Sequence, residues 1–367
     1  MSQKPQGILA HFSIVPDPRR AHQNTKLHTL SDIICIAVLA VIAGANSWNA
    51  IAEFGEQKET WLRTFLTLKN GIPSHDTFAR VFSILNTDVF ETCFTNWVQE
   101  INSLTEGSII ALDGKSSRRA HGKNLAPLHI VNAFATQSGI ALGQRCVDGK
   151  SNEITAIPLL LDELTLKGCI ITTDAMGAQV EIAKKIKDCK ADYVLALKGN
   201  QGRLHEDVQK TFTTSIRTTS ARSETHAHGR TELRECMVTD DLSSLRTSAR
   251  WEGLTTIAQI TDTRTVDGKT TVSTRYFIAS LPADPEKILA VVRAHWKIEN
   301  SLHWVLDVIF REDESRIRSG HAQKNFALLR KFALNLLRKE TTTKGSLITK
   351  RFRAGLCDEY LKKVIGI

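Results

Sequence analysis

The sequence predicts an α/β protein, a mixed sheet flanked by helices, with an all-α region before it and a β-rich insertion within it. Three observations predict this. Between residues 101 and 201, short apolar runs that end at turns alternate with helical periodicity, the pattern of strands joined by crossover helices. Before residue 100 only the helical period occurs. From 202 to 284 the chain is rich in Thr, Ser and Arg, and its apolar residues alternate as in strands. The boundaries are therefore 1–100 (helical), 101–201 (core, first part), 202–284 (β-rich insertion), 285–340 (core, final helices) and 341–367 (a basic C-terminal segment).

The chain has 367 residues, 42% of them hydrophobic, and a formal charge of +9. That length supports a substantial core, and the charge favours an anionic partner, nucleic acid first and an acidic membrane second. Seven cysteines at 35, 93, 146, 169, 189, 236 and 357 show no CxxC or metal-type spacing and read as reduced residues of a cytoplasmic protein. The apolar run from Ile33 to Ala43 is too short to span a bilayer, which needs about 20 residues, and lacks the flanks of a signal peptide. No membrane partner is expected.

Residues 1–25 form a basic, proline-bearing arm containing Asp17-Pro-Arg19-Arg20. A helix follows from Leu30, capped by Ser31 or Asp32 and stopped by Gly44-Ala-Asn-Ser47, then helices near 47–56 and 58–68. Ser74 caps an amphipathic helix to Leu85 that carries His75 and Arg80. It fits the second helix of a helix-turn-helix, and better a packing helix, since any short capped helix of an all-α region has the same pattern. Residues 87–101 complete this region. Strand 108–113 precedes β-like stretches 128–137 and 139–147, joined at Ser138-Gly139 as a hairpin. A helix over 152–166, with Pro158 near its start or at a kink, leads to strand 168–173, parallel to the first. Helix 177–189 and strand 192–198 follow. In the insertion, strands are expected at 231–239, 254–262 and 271–279, with a turn at Asp267-Gly268. Alternation there aligns His226, His228, Arg230, Glu232 and Arg234 on one strand face. Helices resume over 285–306 and 322–338. Between Arg316 and Arg353 the only acid is Glu340, so Arg316, Arg318 and the tail residues Lys344, Lys350, Arg351 and Arg353 are candidates for phosphate contact.

Three carboxylates carry the chemistry. Ser108-Ile-Ile-Ala-Leu-Asp113-Gly-Lys115-Ser-Ser-Arg118-Arg119 is an apolar strand ending in an acid and a basic cluster, and Ile170-Ile-Thr-Thr-Asp174 repeats that grammar. Glu299 lies on a helical stripe whose neighbours at helical spacing are Val292, His295, Leu302, His303 and Leu306. A carboxylate there needs a partner or a cation. Three oxygen donors on two strands and a helix suit Mg2+, with Mn2+ as the other candidate, and two such ions serve in-line phosphoryl transfer. Each acid also has a plain structural reading, as a strand-end cap or as a partner of His295, His303 or Arg293. A zinc site along one helix from His295, Glu299, His303 and Asp307 is a rival, as is Asp148-Gly-Lys150 for the first acid.

In order, Leu112-Asp-Gly-Lys115, Thr173-Asp-Ala-Met-Gly177, Leu197-Lys198-Gly-Asn200-Gln201, His228-Gly-Arg230 and His295-Trp296-Lys297-Ile-Glu299-Asn300-Ser-Leu-His303-Trp304 resemble a DDE insertion-sequence transposase of the H-repeat-associated bacterial branch. Asp17-Pro-Arg-Arg20 and the 30–95 region resemble that branch's N-terminal associated domain. The resemblance implies an RNase H-like core, Asp113, Asp174 and Glu299 as the triad, and Mg2+-dependent cleavage at element ends followed by 3′-OH attack on target DNA. It implies double-stranded DNA and a second copy of the chain as partners, in a cytoplasmic, nucleoid-associated setting. By the same likeness Arg19, Arg20, Arg80, Lys115, Arg118, Arg119, Lys198, Asn200, His228, Arg230, His295, Trp296, Lys297, Asn300, Arg316 and Arg318 are the DNA-contact candidates. Related enzymes carry Tyr, Arg and Lys around the glutamate, where this chain has Val292, His295 and Leu306. The alternatives are a DNA-binding remnant without activity and a general nuclease of the same fold.

Overall fold

The computed structural model describes residues 7–20, 26–116, 128–147, 153–214, 217–227 and 229–366. Six helices come first: α1 (Ile8–Ser13), α2 (Leu30–Ala43), α3 (Trp48–Gln57), α4 (Glu59–Leu62), α5 (His75–Ile84) and α6 (Thr87–Ile101). Helix α2 is capped by Thr29, two or three residues before the expected Ser31 or Asp32, because the Thr29 hydroxyl accepts from the Asp32 amide. Its apolar residues are buried on every side. Among the described residues no single helix is long and apolar enough to cross a membrane.

The core follows as β1 (Ile109–Ser116), β2 (His129–Ala135), β3 (Ile140–Val147), α7 (Glu153–Asp162), β4 (Ile170–Thr173), α8 (Val180–Asp188) and β5 (Asp192–Leu197). β1 pairs antiparallel with β2 and parallel with β4, and β4 pairs parallel with β5, giving the order 3-2-1-4-5 expected of an RNase H-like sheet. The β-rich segment begins with α9 (Gly202–Thr214), which the composition of the insertion had concealed. It continues through β6 (Thr219–Ala227), β7 (Arg230–Thr239), β8 (Thr256–Val266) and β9 (Lys269–Ala279). β9 pairs antiparallel with β5, so the insertion lengthens the same sheet to the order 3-2-1-4-5-9-8-7-6. Asp267 and Gly268 both take positive φ, as the tight turn between β8 and β9 requires. The expected single strand face from His226 to Arg234 is corrected: β6 and β7 form a hairpin, with His226 opposite Thr231, so His226 and Arg230 belong to different strands.

The last elements are α10 (Pro285–His295), a π-helical turn over Glu299–His303, α11 (Trp304–Val308), α12 (Ala322–Lys339), α13 (Leu347–Leu356) and α14 (Asp358–Ile365). Helix α10 covers one sheet face, where Ile288, Val291 and Val292 pack with Ile109, Ile170 and Val194. Helix α12 joins the sheet to the N-terminal helices. The Asn335 amide donates to Ala141 O and accepts from Ala141 N, while Asn325 donates to the carbonyls of Phe82 and Leu85. The Phe332 ring sits 4.8 Å from Phe94 and 5.2 Å from Trp97.

Two of the tail's basic residues, Lys350 and Arg351, are spent inside the fold, contrary to their reading as phosphate contacts, while Lys344 is exposed. Lys350 is buried and donates to Leu337 O, and Arg351 donates to the carbonyls of Val41, Ile42 and Ile309. A guanidinium at the C-terminal end of α2 satisfies carbonyls that the helix leaves open and complements its dipole. Arg353 lies over the Tyr360 ring at 5.4 Å.

Candidate functional site

Strand alternation puts Asp113 on the face of Ile109 and Ala111, and Asp174 on the face of Ile170 and Thr172. Ala111 pairs with Thr172 and Leu112 with Thr173, so the two acids come one step beyond the last paired residues, side by side, on the face that α10 covers. Each is also held by backbone amides. Asp113 Oδ1 accepts from Gly114 N at 3.0 Å, and Asp174 Oδ1 accepts from Met176 N at 3.0 Å and Gly177 N at 3.3 Å. The strand-end-cap reading and the cavity-lining one are thus compatible. A Cβ at position 114 would lie 1.9 Å from Glu153 Oε1, so a larger residue there requires the Glu153 side chain to move. Glu153 in turn accepts from His129 Nε2 at 2.7 Å, and His129 Nδ1 is 2.7 Å from the Ser116 hydroxyl.

Glu299 opens the π-helical turn, a local widening that is common at functional sites. Its Oε2 is 3.0 Å from His303 Nδ1, and the same nitrogen is 3.5 Å from Asp113 Oδ2. Asp113, Asp174, Glu299, Lys198, His295 and Trp296 line a cavity of about 450 Å³ that Arg275 and Phe277 also border. The Arg275 guanidinium lies 5.5 Å over the Trp296 ring. Asp113 is pushed up to about 7, by burial first and then by the charges of Asp174, Glu153 and Glu299. His295, whose Nδ1 is 2.8 Å from Thr172 Oγ1, is pushed down to about 4 by burial and by Arg275, so the ring is neutral. Crowded carboxylates of this kind fit a divalent cation, which relieves the repulsion that raises Asp113. Among the described residues the ligating atoms of Asp113, Glu299 and His303 lie within 4.8 Å of one another; Asp174 borders the same cavity outside that group.

The four-residue ladder proposed as a zinc rival comes apart, because His295 turns to Thr172 and Asp307 to Lys115. Asp148-Gly-Lys150 lies outside the described residues.

The DNA-contact candidates divide. Lys198, His295 and Trp296 border the cavity, and Asn300 is exposed beside Glu299. Asn200 is exposed, with its amide donating to Ala175 O, and Lys297 is exposed and reaches Thr136 O at 3.4 Å. Arg20, Arg80, Arg316 and Arg318 are exposed away from that cavity's lining. Arg19 is engaged by Asp17 at 2.9 and 2.8 Å, and Arg230 by Glu232 at 3.1 Å. Lys115 departs from its expected role: it is buried, 2.6 Å from Asp307 and 3.0 Å from Glu312, where a DNA phosphate has no access. Arg118, Arg119 and His228 lie outside the described residues. Sequence reasoning did not find Arg275, Glu153 or Asn132. Arg275 sits in a Thr-rich strand with no motif around it, Asn132 declares itself only through the β1–β2 register, and Glu153, at the start of α7, only through its contact with His129.

The Transposase DDE domain model matches residues 104–336, and the DDE_Tnp_1-associated model matches residues 9–98. The chain is 42% identical over 374 residues to the Escherichia coli O157:H7 protein named "Putative transposase YncI", covering 98% of this chain and 95% of that one. It is 38% identical over 373 residues to "H repeat-associated putative transposase YhhI" of Escherichia coli strain K12, covering 98% and 97%. Among solved structures, the cryo-EM piggyBac transposase synaptic complex with hairpin DNA aligns at a TM-score of 0.43 and 12% identity, over 98% of this chain and 76% of that one. With both family models and full-length relatives on it, the chain belongs to the DDE transposase family.

Proposed function

We propose that this transposase cleaves DNA at the ends of an insertion element and joins the freed 3′-OH to target DNA, with Asp113, Asp174 and Glu299 as the acids that hold Mg2+ or Mn2+. The observation that carries this reading is the convergence of two strand-end acids and a helix-borne acid on one cavity, with Asp113 shifted up by burial and then by the neighbouring charges. Asp113, Asp174 and Glu299 would hold the ions, and bound there the ions would supply activation of the attacking oxygen and stabilisation of the leaving one.

In the first step a water oxygen forms a bond to phosphorus, the bond to the 3′-oxygen breaks, and the strand leaves as a 3′-OH opposite a 5′-phosphate. In the second, that 3′-OH forms a bond to a target phosphate and the target's own 3′-oxygen leaves, taking up a proton. The chain's part in both is to orient and neutralise. Lys198 and Arg275 border the cavity with positive charge suited to phosphate oxygens, and His295 stays neutral beside them. Asn300 and Lys297 flank the glutamate. Exposed Arg20, Arg80, Arg316 and Arg318 supply contacts to flanking phosphates. The DNA-bound form is a homodimer, one copy per element end, acting at the nucleoid in the cytoplasm.

Replacing Asp113 by Ala abolishes Mg2+-dependent nicking of cognate ends while leaving end binding intact. Undiminished nicking by that variant rejects the assignment.

A further inference from the structure

Asn132 stands directly opposite Asp113 in the β1–β2 register and is fully buried. His303, four residues after Glu299, is 3% exposed. Asn132 Nδ2 lies 3.2 Å from the Ile130 carbonyl oxygen and 3.5 Å from His303 Nε2. The carbonyl only accepts, so it identifies the nitrogen end of the amide: the reversed amide would set two oxygens against each other at 3.2 Å. An amide nitrogen only donates. His303 Nε2 therefore accepts, and a ring that accepts at Nε2 carries its single hydrogen on Nδ1. That nitrogen is the one 3.0 Å from Glu299 Oε2 and 3.5 Å from Asp113 Oδ2.

We propose that His303 is a positioning residue of the cation site: Asn132 fixes its tautomer, and its Nδ1–H, shared between Glu299 and Asp113, holds the helix-borne acid against the strand-borne one. The alternative, His303 as a direct ligand, needs a free lone pair on Nδ1 and so a hydrogen on Nε2. That hydrogen would face the Asn132 N–H, donor against donor. The proposal rests on Asp113 and Glu299 as cation ligands, but the tautomer itself does not.

The first measurement uses metal-free, full-length protein with 15N-labelled histidine side chains, the His303 signals being identified by their loss in His303→Asn. The expected pattern has Nδ1 protonated and Nε2 bare; a hydrogen on Nε2 overturns the proposal. The second is Mn2+ titration followed by electron paramagnetic resonance. His303→Leu weakens Mn2+ binding about 10- to 100-fold, the usual effect of removing a residue that orients metal ligands. His303→Asn, whose amide reaches the Nδ1 position, retains most of the affinity. Hyperfine coupling from a coordinated imidazole nitrogen in the native protein, or unchanged binding in His303→Leu, overturns the proposal. If His303→Leu fails to fold by circular dichroism, the native spectra and His303→Asn decide. Native protein that binds no Mn2+ rejects the cation site and with it the proposed function, while the nitrogen shifts still decide the tautomer.

Discussion

A carboxyl group held beside other carboxylates in a half-buried pocket gives up its proton reluctantly, and Asp113 does so only near pH 7. Its unfolded counterpart ionises near pH 4. Below that both states are protonated. Between about 4 and 7 the folded protein retains a proton that the unfolded chain has lost, so metal-free stability falls as pH rises, and the loss is complete above 7. Asp113→Asn removes that penalty and keeps the amide contact from Gly114. At pH 8 and without metal it is expected to be more stable than the native protein by about 1–4 kcal/mol, with the gap closing toward pH 4. Added Mn2+ reverses the order, because only the native site gains binding energy. Chemical unfolding at the two pH values checks this, and parallel pH profiles refute it. At this scale the sequence was informative where chemistry sits at strand ends: Asp113 and Asp174 were legible because an apolar run that stops at an acid needs a reason. His303 was visible as a possible partner of Glu299 and as a member of the rival zinc ladder, but not as a positioning residue, since its tautomer depends on Asn132, 171 residues away.

At the scale of elements, two strands and a helix must keep three acids in register, and Lys115 is the clamp. It follows Asp113 by two residues in β1, and its ammonium reaches Asp307 on α11 and both Glu312 and Asp313 beyond it. Burial acts to raise Glu312, yet the charges of Lys115, Lys331 and Arg330 hold it down to about 2. Lys115→Met leaves these acids buried without their main counter-charge and is expected to cost about 3–5 kcal/mol at neutral pH. Glu312 contributes stability above its unfolded value, near 4.3, and loses it as pH falls toward 2, so the deficit narrows in acid. Urea unfolding at pH 7 and pH 3 measures it; an equal deficit at both assigns the loss to packing alone. The motif Asp113-Gly-Lys115 was legible, but a lysine beside an acid reads as a phosphate contact until its partners, nearly 200 residues on, are in place. The hairpin of β6 and β7 was misread for a related reason. Alternation continues through His226 and Arg230 whether or not a turn intervenes, and β6 is exposed enough to show no apolar signal.

Over the whole molecule, the change from helical to strand periodicity near residue 100 marks where architecture changes, and it was legible for that reason. It does not mark where the core ends. Phe12, Phe90, Phe94 and Trp97 from the first hundred residues close around Phe332 of α12, and α2 receives Arg351 from α13 at its C-terminal carbonyls. Periodicity showed that α12 was a helix, but α13 was read only as part of a basic tail, and a basic run carries no sign of which carbonyls it will meet. The N-terminal helices are therefore a wall built onto the last helices of the core. Residues 1–103 expressed alone expose four large aromatic rings and leave the Phe82 and Leu85 carbonyls without Asn325, so that fragment is expected to show no cooperative unfolding. Co-expression with 104–367 restores it. In the intact chain, Phe332→Ala removes the ring shared by both regions and is expected to cost about 3–5 kcal/mol, moving tryptophan fluorescence and far-UV circular dichroism together in one transition. A fragment 1–103 that melts cooperatively by itself, or a Phe332→Ala protein whose two probes separate, would mean that the helical region is an independent domain after all. The acids would then stand on a core that does not need it.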